Sequence, residues 1–163
     1  MAIYGFIGTG NMGGAMARAA RRALSGQEVL LANRTLAKAE ALARELDCRT
    51  GDNAAVAQEA DYIFLGVKPQ MMAEMLAGIA PVLAQRKNRF ILVSMAAGLT
   101  ISRLQELAGG DYPILRIMPN TPSAIGAGMV FYTPGPRHSR RRSPCLPGNH
   151  GRGRPLCPPC RST

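Results

Sequence analysis

The strongest constraint on the fold is a glycine-rich segment close to the N-terminus. A short apolar run over residues 2–7 leads into Gly8, Gly10 and Gly13 at G-x-G-x-x-G spacing, and an alanine-rich stretch follows at once. In a strand–turn–helix unit, the first glycine permits the turn and the second lets backbone approach a pyrophosphate, while the third lets the helix pack on the strand. The free N–H groups and the positive dipole end of the helix then attract phosphate. Three glycines alone would fit an ordinary turn, but the flanking strand and helix patterns favour a dinucleotide-binding loop.

Strand and helix patterns alternate along the first 132 residues. Apolar runs predict strands at residues 2–7, 28–32, 61–67, 89–95, 112–118 and 128–132. Helices are predicted at residues 11–23, 36–46, 53–59, 69–84 and 102–107, and the apolar residues of the second fall on one face. Thr35 is expected to cap the second helix, and Pro81 could break the fourth. This order predicts an α/β fold, a doubly wound parallel sheet of the Rossmann-like dinucleotide-binding type.

The composition changes abruptly at residue 134. Seven of the 20 basic residues lie beyond residue 135 together with six prolines and three cysteines, whereas all 10 acidic residues lie before it. The remaining thirteen basic residues nearly balance the acidic ones, so the net charge of +10 does not indicate a nucleic-acid partner for the folded part. We expect residues 1–133 to form an NAD(P)-binding domain. Residues 134–163 are expected to be a disordered Arg/Pro/Cys-rich tail, because they hold too few apolar side chains to form a core.

The end of the second predicted strand indicates which cofactor is preferred. NAD-specific domains usually place an acidic residue here to bind the ribose hydroxyls, and that acid would repel the 2′-phosphate of NADP. This chain has Asn33, Arg34 and Thr35 instead, with Lys38 one turn further on. A guanidinium matches phosphate with a planar fork of donors. The segment therefore favours NADP(H) over NAD(H), although a turn followed by a helix cap would have a similar composition.

Three later loops also follow the carboxyl ends of predicted strands, where such sheets bind ligands. Residues 66–70 offer small and apolar backbone to a cofactor, and Lys68 could either reach phosphate or simply extend into solvent. Residues 94–98 contain three very small side chains, which would give a flat nicotinamide ring clearance. In residues 116–122, Asn120 stands close to two prolines, so its amide could orient a carboxamide or a substrate group, although the composition also suits a turn.

Taken together, residues 6–12, 32–34, 67–69, 94–98 and 116–122 resemble the N-terminal domain of pyrroline-5-carboxylate reductase, in the family's order. The resemblance covers about residues 1–133, and the Met-Pro-Asn-Thr-Pro string is its most specific element. It implies an enzyme that transfers hydride from NAD(P)H to the imine carbon of 1-pyrroline-5-carboxylate, the last step of proline biosynthesis. The cofactor contacts that it implies, together with Asn120 from the preceding argument, are Ile7, Gly8, Thr9, Gly10, Asn11, Met12, Asn33, Arg34, Asn53, Gly66, Val67, Lys68, Pro69, Met95, Ala96 and Ala97. Neither line of argument identifies an acid, a base, a nucleophile or a metal ligand.

The resemblance ends where the composition changes. Members of the family continue into a helical C-terminal domain that forms the homo-oligomer and supplies most of the substrate site. We expect this chain to lack that domain, with a tail that resembles translation in a shifted reading frame. Two other interpretations of the tail are less favoured than a solvated segment. A zinc site at Cys145, His150, Cys157 and Cys160 would have no core around it. Nonspecific nucleic-acid binding by the arginines would have no accompanying aromatic residue. With no signal-peptide pattern and no membrane-length apolar run, we expect a cytoplasmic protein.

Two further hypotheses remain open. The chain could be an NADP-binding fragment without catalytic activity. Alternatively, the same fold could serve an NADP oxidoreductase of the F420-dependent type or a 3-hydroxyacid dehydrogenase. The last would call for a catalytic lysine in a later helix, which this chain lacks.

Overall fold

The computed structural model describes residues 1–119 and 130–134, and the side chains of residues 1–118. The strands are β1 (Tyr4–Ile7), β2 (Val29–Ala32), β3 (Arg49–Thr50), β4 (Tyr62–Leu65), β5 (Ile91–Ser94), β6 (Ile114–Pro119) and β7 (Val130–Pro134). The α-helices are α1 (Asn11–Arg21), α2 (Leu36–Leu46), α3 (Asn53–Glu59), α4 (Met72–Gln85) and α5 (Ile101–Ala108). Short 3₁₀ helices lie at Gly26–Glu28 and Pro69–Met71. Asn120, the cysteines and arginines of the predicted tail, and the tail itself from residue 135 lie outside the described residues.

The strands form one sheet in the order β3-β2-β1-β4-β5-β6-β7. The first six are parallel, and β7 pairs antiparallel with β6 at the edge. The chain builds outward from β1 to β3 on one side and then crosses over to start β4 on the other side. This is the strand order of doubly wound dinucleotide-binding sheets. The predicted fold class is confirmed, and so is the edge strand near residue 130.

Helices cover both faces of the sheet, as the predicted parallel arrangement requires. One apolar cluster joins the sheet to α3, α4 and α5, and is represented by Ile63, Leu76 and Leu104. The cluster on the other face joins it to α1 and α2, where Phe6 stacks on Phe64 with ring centroids 4.6 Å apart. Within the described residues, no helix is long and apolar enough to cross a membrane.

Two local expectations differ from the structure. Thr35 occupies the N-cap position of α2, but its side chain makes no capping hydrogen bond. The Lys38 N–H, which such a hydroxyl would accept from, donates instead to the Thr35 carbonyl at 3.0 Å. Helix α4 also runs through Pro81 without a break. Pro81 and Ala77 are exposed, so the carbonyl that the proline leaves without an intrahelical donor can be hydrated.

Candidate dinucleotide-binding site

Four neighbouring strands end at the same level of the sheet. Ile7 of β1 is in register with Ala32 of β2 and with Leu65 of β4, and Leu65 is in register with Ser94 of β5. The loops that follow these strands therefore leave from one edge. They carry almost all of the candidate site residues, and β1 and β4 flank the crossover point at which sheets of this topology bind ligands.

The glycine loop is held by close contacts between backbone segments. Gly8 has φ +92°, and an added Cβ there would lie 2.8 Å from the carbonyl carbon of Gly66 and 2.9 Å from the nitrogen of Val67. An added Cβ at Gly13 would overlap the carbonyl oxygen of Gly8. Gly13 therefore lets the start of α1 pack directly against the turn, and Gly8 makes the turn itself, as the sequence predicted; Gly8 also leaves room for the loop after β4.

Gly10 differs from the other two glycines of the motif. It is the exposed N-cap of α1 with φ −70° and ψ −165°, and an added Cβ would meet no atom of the described residues within 4 Å. The helix start has no side-chain cap, and its first turn contains no acidic residue. The first-turn N–H groups thus face open space without a protein acceptor from a cap, which is the arrangement that suits a phosphate.

The end of β2 anchors the same loop. The Gly8 N–H donates to the Ala32 carbonyl at 2.8 Å, and the Thr9 N–H donates to Oδ1 of Asn33 at 3.3 Å. The Thr9 hydroxyl oxygen is buried without a hydrogen-bond partner among the described residues. This hydroxyl is thus a buried polar group of the loop that the described residues leave unsatisfied.

Positive charge lies beside this loop on the β2 side. Arg34 is exposed, and its guanidinium makes no hydrogen bond or ion pair with the part of the chain that the structure describes. Lys38 is also exposed and lines a cleft of about 280 Å³ between α1 and α2 that reaches Thr9. These two cations are available for an anionic group at the loop.

The other basic residue of the cleft is already paired. Arg18 holds Glu45 through two hydrogen bonds of 2.7 Å, from Nε to Oε1 and from Nη2 to Oε2. This hydrogen bonding lowers the pKa of the Glu45 carboxyl and raises the pKa of the Arg18 guanidinium. This pair joins α1 to α2 and contributes no net charge to the cleft.

The loop after β4 lies directly beneath the glycine loop. The Gly66 N–H donates to the Ile7 carbonyl at 2.8 Å. An added Cβ at Gly66 would lie 2.5 Å from the Gly8 oxygen and 3.0 Å from the Gly13 Cα. Gly66 therefore has a packing function that the sequence did not reveal, because it depends on the alignment of β1 with β4. Beyond it, Val67 is half-buried, and Lys68 and Pro69 are exposed.

The remaining candidates differ in exposure. Ile7 and Ala96 are buried, so Ile7 offers the site only its backbone, whereas Asn11 and Ala97 are exposed. Met12, Met95 and Asn53 are half-buried, and Asn53 is the first residue of α3, after an Asp52 carboxylate that accepts the Ala55 N–H at 2.7 Å. The Ala96 N–H donates to the buried Ser94 hydroxyl at 3.3 Å, which fixes the turn after β5.

The fold and the glycine loop at this edge of the sheet are those of a Rossmann-type NAD(P)-binding domain. Residues 3–98 match the family model described as NADP oxidoreductase coenzyme F420-dependent, and the chain belongs to this family. Its relatives identify the region further as the N-terminal NADP-binding domain of the pyrroline-5-carboxylate reductase type.

Two curated relatives illustrate the match. The chain is 36% identical to pyrroline-5-carboxylate reductase of Corynebacterium melassecola over 141 residues, which are 83% of this chain and 51% of the relative. It is 39% identical to the Escherichia coli enzyme over 134 residues, which are 80% of this chain and 48% of the relative. The chain thus spans about half the length of the curated relatives it matches.

Two solved structures extend the comparison. The pyrroline-5-carboxylate reductase of Coxiella burnetii superimposes with a TM-score of 0.76 at 27% identity, covering 83% of this chain and 50% of that one. The Plasmodium falciparum pyrroline carboxylate reductase, solved with NADP bound, gives a TM-score of 0.69 at 26% identity, covering 83% of this chain and 48% of that one.

Proposed function

We propose that this chain binds NADP(H) in the crevice at the carboxyl edge of the sheet. The open space above Gly10, beside the uncapped first turn of α1, carries this proposal. The backbone from Gly10 to Met12 holds the pyrophosphate there, where the N–H groups and the helix dipole both favour negative charge. The NADP in the Plasmodium relative supports the choice of ligand.

We assign the preference for NADP(H) over NAD(H) to Arg34. Its guanidinium is exposed, has no partner among the described residues and follows β2 beside the glycine loop. A planar guanidinium can donate two parallel hydrogen bonds to a 2′-phosphate. Asn53 and residues 66–69 lie along the same edge toward the adenosine half of the cofactor, and residues 95–97 lie toward the nicotinamide.

The reaction we propose is reduction of 1-pyrroline-5-carboxylate to proline. Bound NADPH supplies a hydride that adds to the imine carbon, while the imine nitrogen takes up a proton. The chain's own part is to bind the cofactor and to fix its orientation, since alignment of donor and acceptor is the main contribution of the protein in hydride transfer. We assign no side chain of this chain as the proton donor.

NADPH oxidation followed at 340 nm in the presence of pyrroline-5-carboxylate tests this proposal, together with a fluorescence titration of NADPH. Turnover that depends on both compounds would support the reductase. A monomer that binds NADPH but gives no turnover would support the alternative, a cofactor-binding fragment. Absence of NADPH binding by the folded chain would refute both.

The family-model match favours one second candidate. Its description names coenzyme F420, and it covers more than half of the chain. An F420-type enzyme would exchange hydride between NADP(H) and the deazaflavin, which can be followed at 420 nm. Exchange with F420 and none with pyrroline-5-carboxylate would favour this candidate over the reductase.

A further inference from the structure

The Asn33 side chain joins two parts of the candidate site. Its Oδ1 accepts the Thr9 N–H at 3.3 Å, and its Nδ2 donates to the Thr35 carbonyl at 3.1 Å. A primary amide has both an acceptor and donors, so this one side chain can make both bonds. One half-buried side chain thus links the glycine loop to the turn that carries Arg34.

The hydrogen bond from Thr9 to Asn33 is one of two that join the glycine loop to the end of β2. The preceding residue, Ala32, accepts the Gly8 N–H at 2.8 Å, so the end of β2 holds two successive N–H groups of the loop. Peptide units are planar, and fixing the Thr9 N–H therefore fixes the plane of the Gly8–Thr9 peptide. Gly8, with φ +92°, is a glycine and restricts its own backbone little. The hydrogen bond from Thr9 to Asn33 therefore sets the direction in which the chain enters Gly10.

We propose that Asn33 is a positioning residue, which acts on the cofactor through the Thr9 peptide and not by contact with the 2′-phosphate. This rests on the proposed binding of NADP(H). The family resemblance groups Asn33 with Arg34 at the ribose phosphate, but in the structure its side-chain oxygen accepts from Thr9 and its NH2 group donates to the Thr35 carbonyl. Both NADPH and NADH carry the pyrophosphate that the loop receives. Asn33 therefore affects both cofactors, whereas Arg34 affects the phosphorylated one.

Fluorescence titrations of NADPH and NADH with the full-length chain distinguish the two roles. Asn33→Ala is expected to weaken binding of both cofactors by a similar factor, about 3- to 10-fold, as for one lost hydrogen bond. The matched control, Arg34→Ala, is expected to weaken NADPH about 10-fold or more and to leave NADH within twofold. A loss confined to NADPH in Asn33→Ala, or no loss for either cofactor, would overturn the proposal.

A second measurement needs no cofactor. Hydrogen exchange of the Thr9 amide, followed by NMR on the full-length chain, is expected to be at least several-fold faster in Asn33→Ala than in the wild type. Asn33→Asp is expected to restore slow exchange, because a carboxylate oxygen also accepts this N–H. Unchanged exchange in Asn33→Ala would refute the anchor. Asn33→Leu replaces the alanine variant if circular dichroism shows that the latter is unfolded.

The two measurements separate this proposal from the proposed function. If the wild-type chain binds neither NADPH nor NADH, the proposed function fails, and Asn33 is then not a positioning residue for a cofactor. Slow Thr9 exchange that depends on Asn33 would in that case show an anchor of purely structural value. Binding of both cofactors with no dependence on Asn33 would overturn only the positioning role.

Discussion

Gly10→Val separates cofactor binding from folding more sharply than any other change in the loop. Gly10 has extended backbone angles that valine adopts readily, and within residues 1–119 and 130–134 no atom lies within 4 Å of an added Cβ. A glycine replaced at a compatible conformation stabilises a protein by roughly 0.4–1 kcal/mol, because the unfolded chain loses freedom. Because valine is a poorer helix N-cap than glycine, which offsets this gain, we expect the melting temperature without cofactor to stay within a few degrees of the wild type.

Cofactor binding by Gly10→Val, in contrast, is expected to be lost. The two methyl groups of valine occupy the space where we place the pyrophosphate, so neither NADPH nor NADH should bind. At a cofactor concentration 100 times the dissociation constant, binding stabilises the wild type by about 2.7 kcal/mol. Thermal unfolding with and without NADPH should show this increase for the wild type and none for Gly10→Val.

Two glycines provide matched controls for this experiment. Gly78 of α4 is also exposed with open space around its Cβ position, so Gly78→Val should leave the cofactor-induced increase intact. Gly13→Val should instead lower the stability of the free protein, because its Cβ would overlap the Gly8 carbonyl. If Gly10→Val keeps the full increase with NADPH, the pyrophosphate does not lie above Gly10 and the proposed site is wrong.

Three further predictions follow from other parts of the molecule. Arg34→Asp should weaken NADPH binding by about 1.5–3 kcal/mol in a titration and NADH binding much less, and equal losses would show that Arg34 does not recognise the phosphate. Because hydrogen bonding from Arg18 lowers the pKa of Glu45, their pair should stabilise the fold above about pH 4.5 and lose that effect as the pH falls through the lowered pKa. Glu45→Gln should therefore make the melting temperature depend slightly less on pH between pH 6 and pH 3. The effect is small because both side chains are about half exposed. An unchanged dependence on pH would contradict the assignment. Deletion of residues 136–163, which hold two large aliphatic side chains, should leave the melting temperature nearly unchanged, and a clear decrease would mean that they pack on the domain.

Helix positions could be predicted more accurately from the sequence than strand positions. The predicted bounds 36–46 and 53–59 agree with α2 and α3, because a polar residue precedes each helix and the apolar residues of α2 fall on one face. The predicted strand at residues 61–67 is longer than β4, which ends at Leu65. The apolar run continues past the last ladder position here, because Gly66 and Val67 belong to the loop that follows β4 at the candidate site. The two residues of β3 are too few for any periodic signal.

The location of the candidate site could be predicted, but its internal contacts could not. Parallel strands bring their carboxyl ends to one edge, so the loops after β1, β2, β4 and β5 had to lie together. The hydrogen bond from Thr9 to Asn33 joins residues 24 positions apart and depends on side-chain conformation. No pattern in the sequence distinguishes an asparagine that anchors a loop from one that contacts a ligand.

The three-way contact of Gly8, Gly13 and Gly66 limits how this sequence can diverge. At Gly5, an added methyl group would meet the side chains of Val56 and Ala60, so smaller residues at both positions could together act as second-site suppressors. At Gly13 and Gly66, the obstacle is the Gly8 carbonyl oxygen, which every amino acid carries. No substitution at position 8 can remove this backbone oxygen to make room for a side chain at position 13 or 66. Variation at Gly5 can therefore proceed by compensating changes, whereas Gly13 and Gly66 are each expected to stay fixed for as long as the helix packs on this turn.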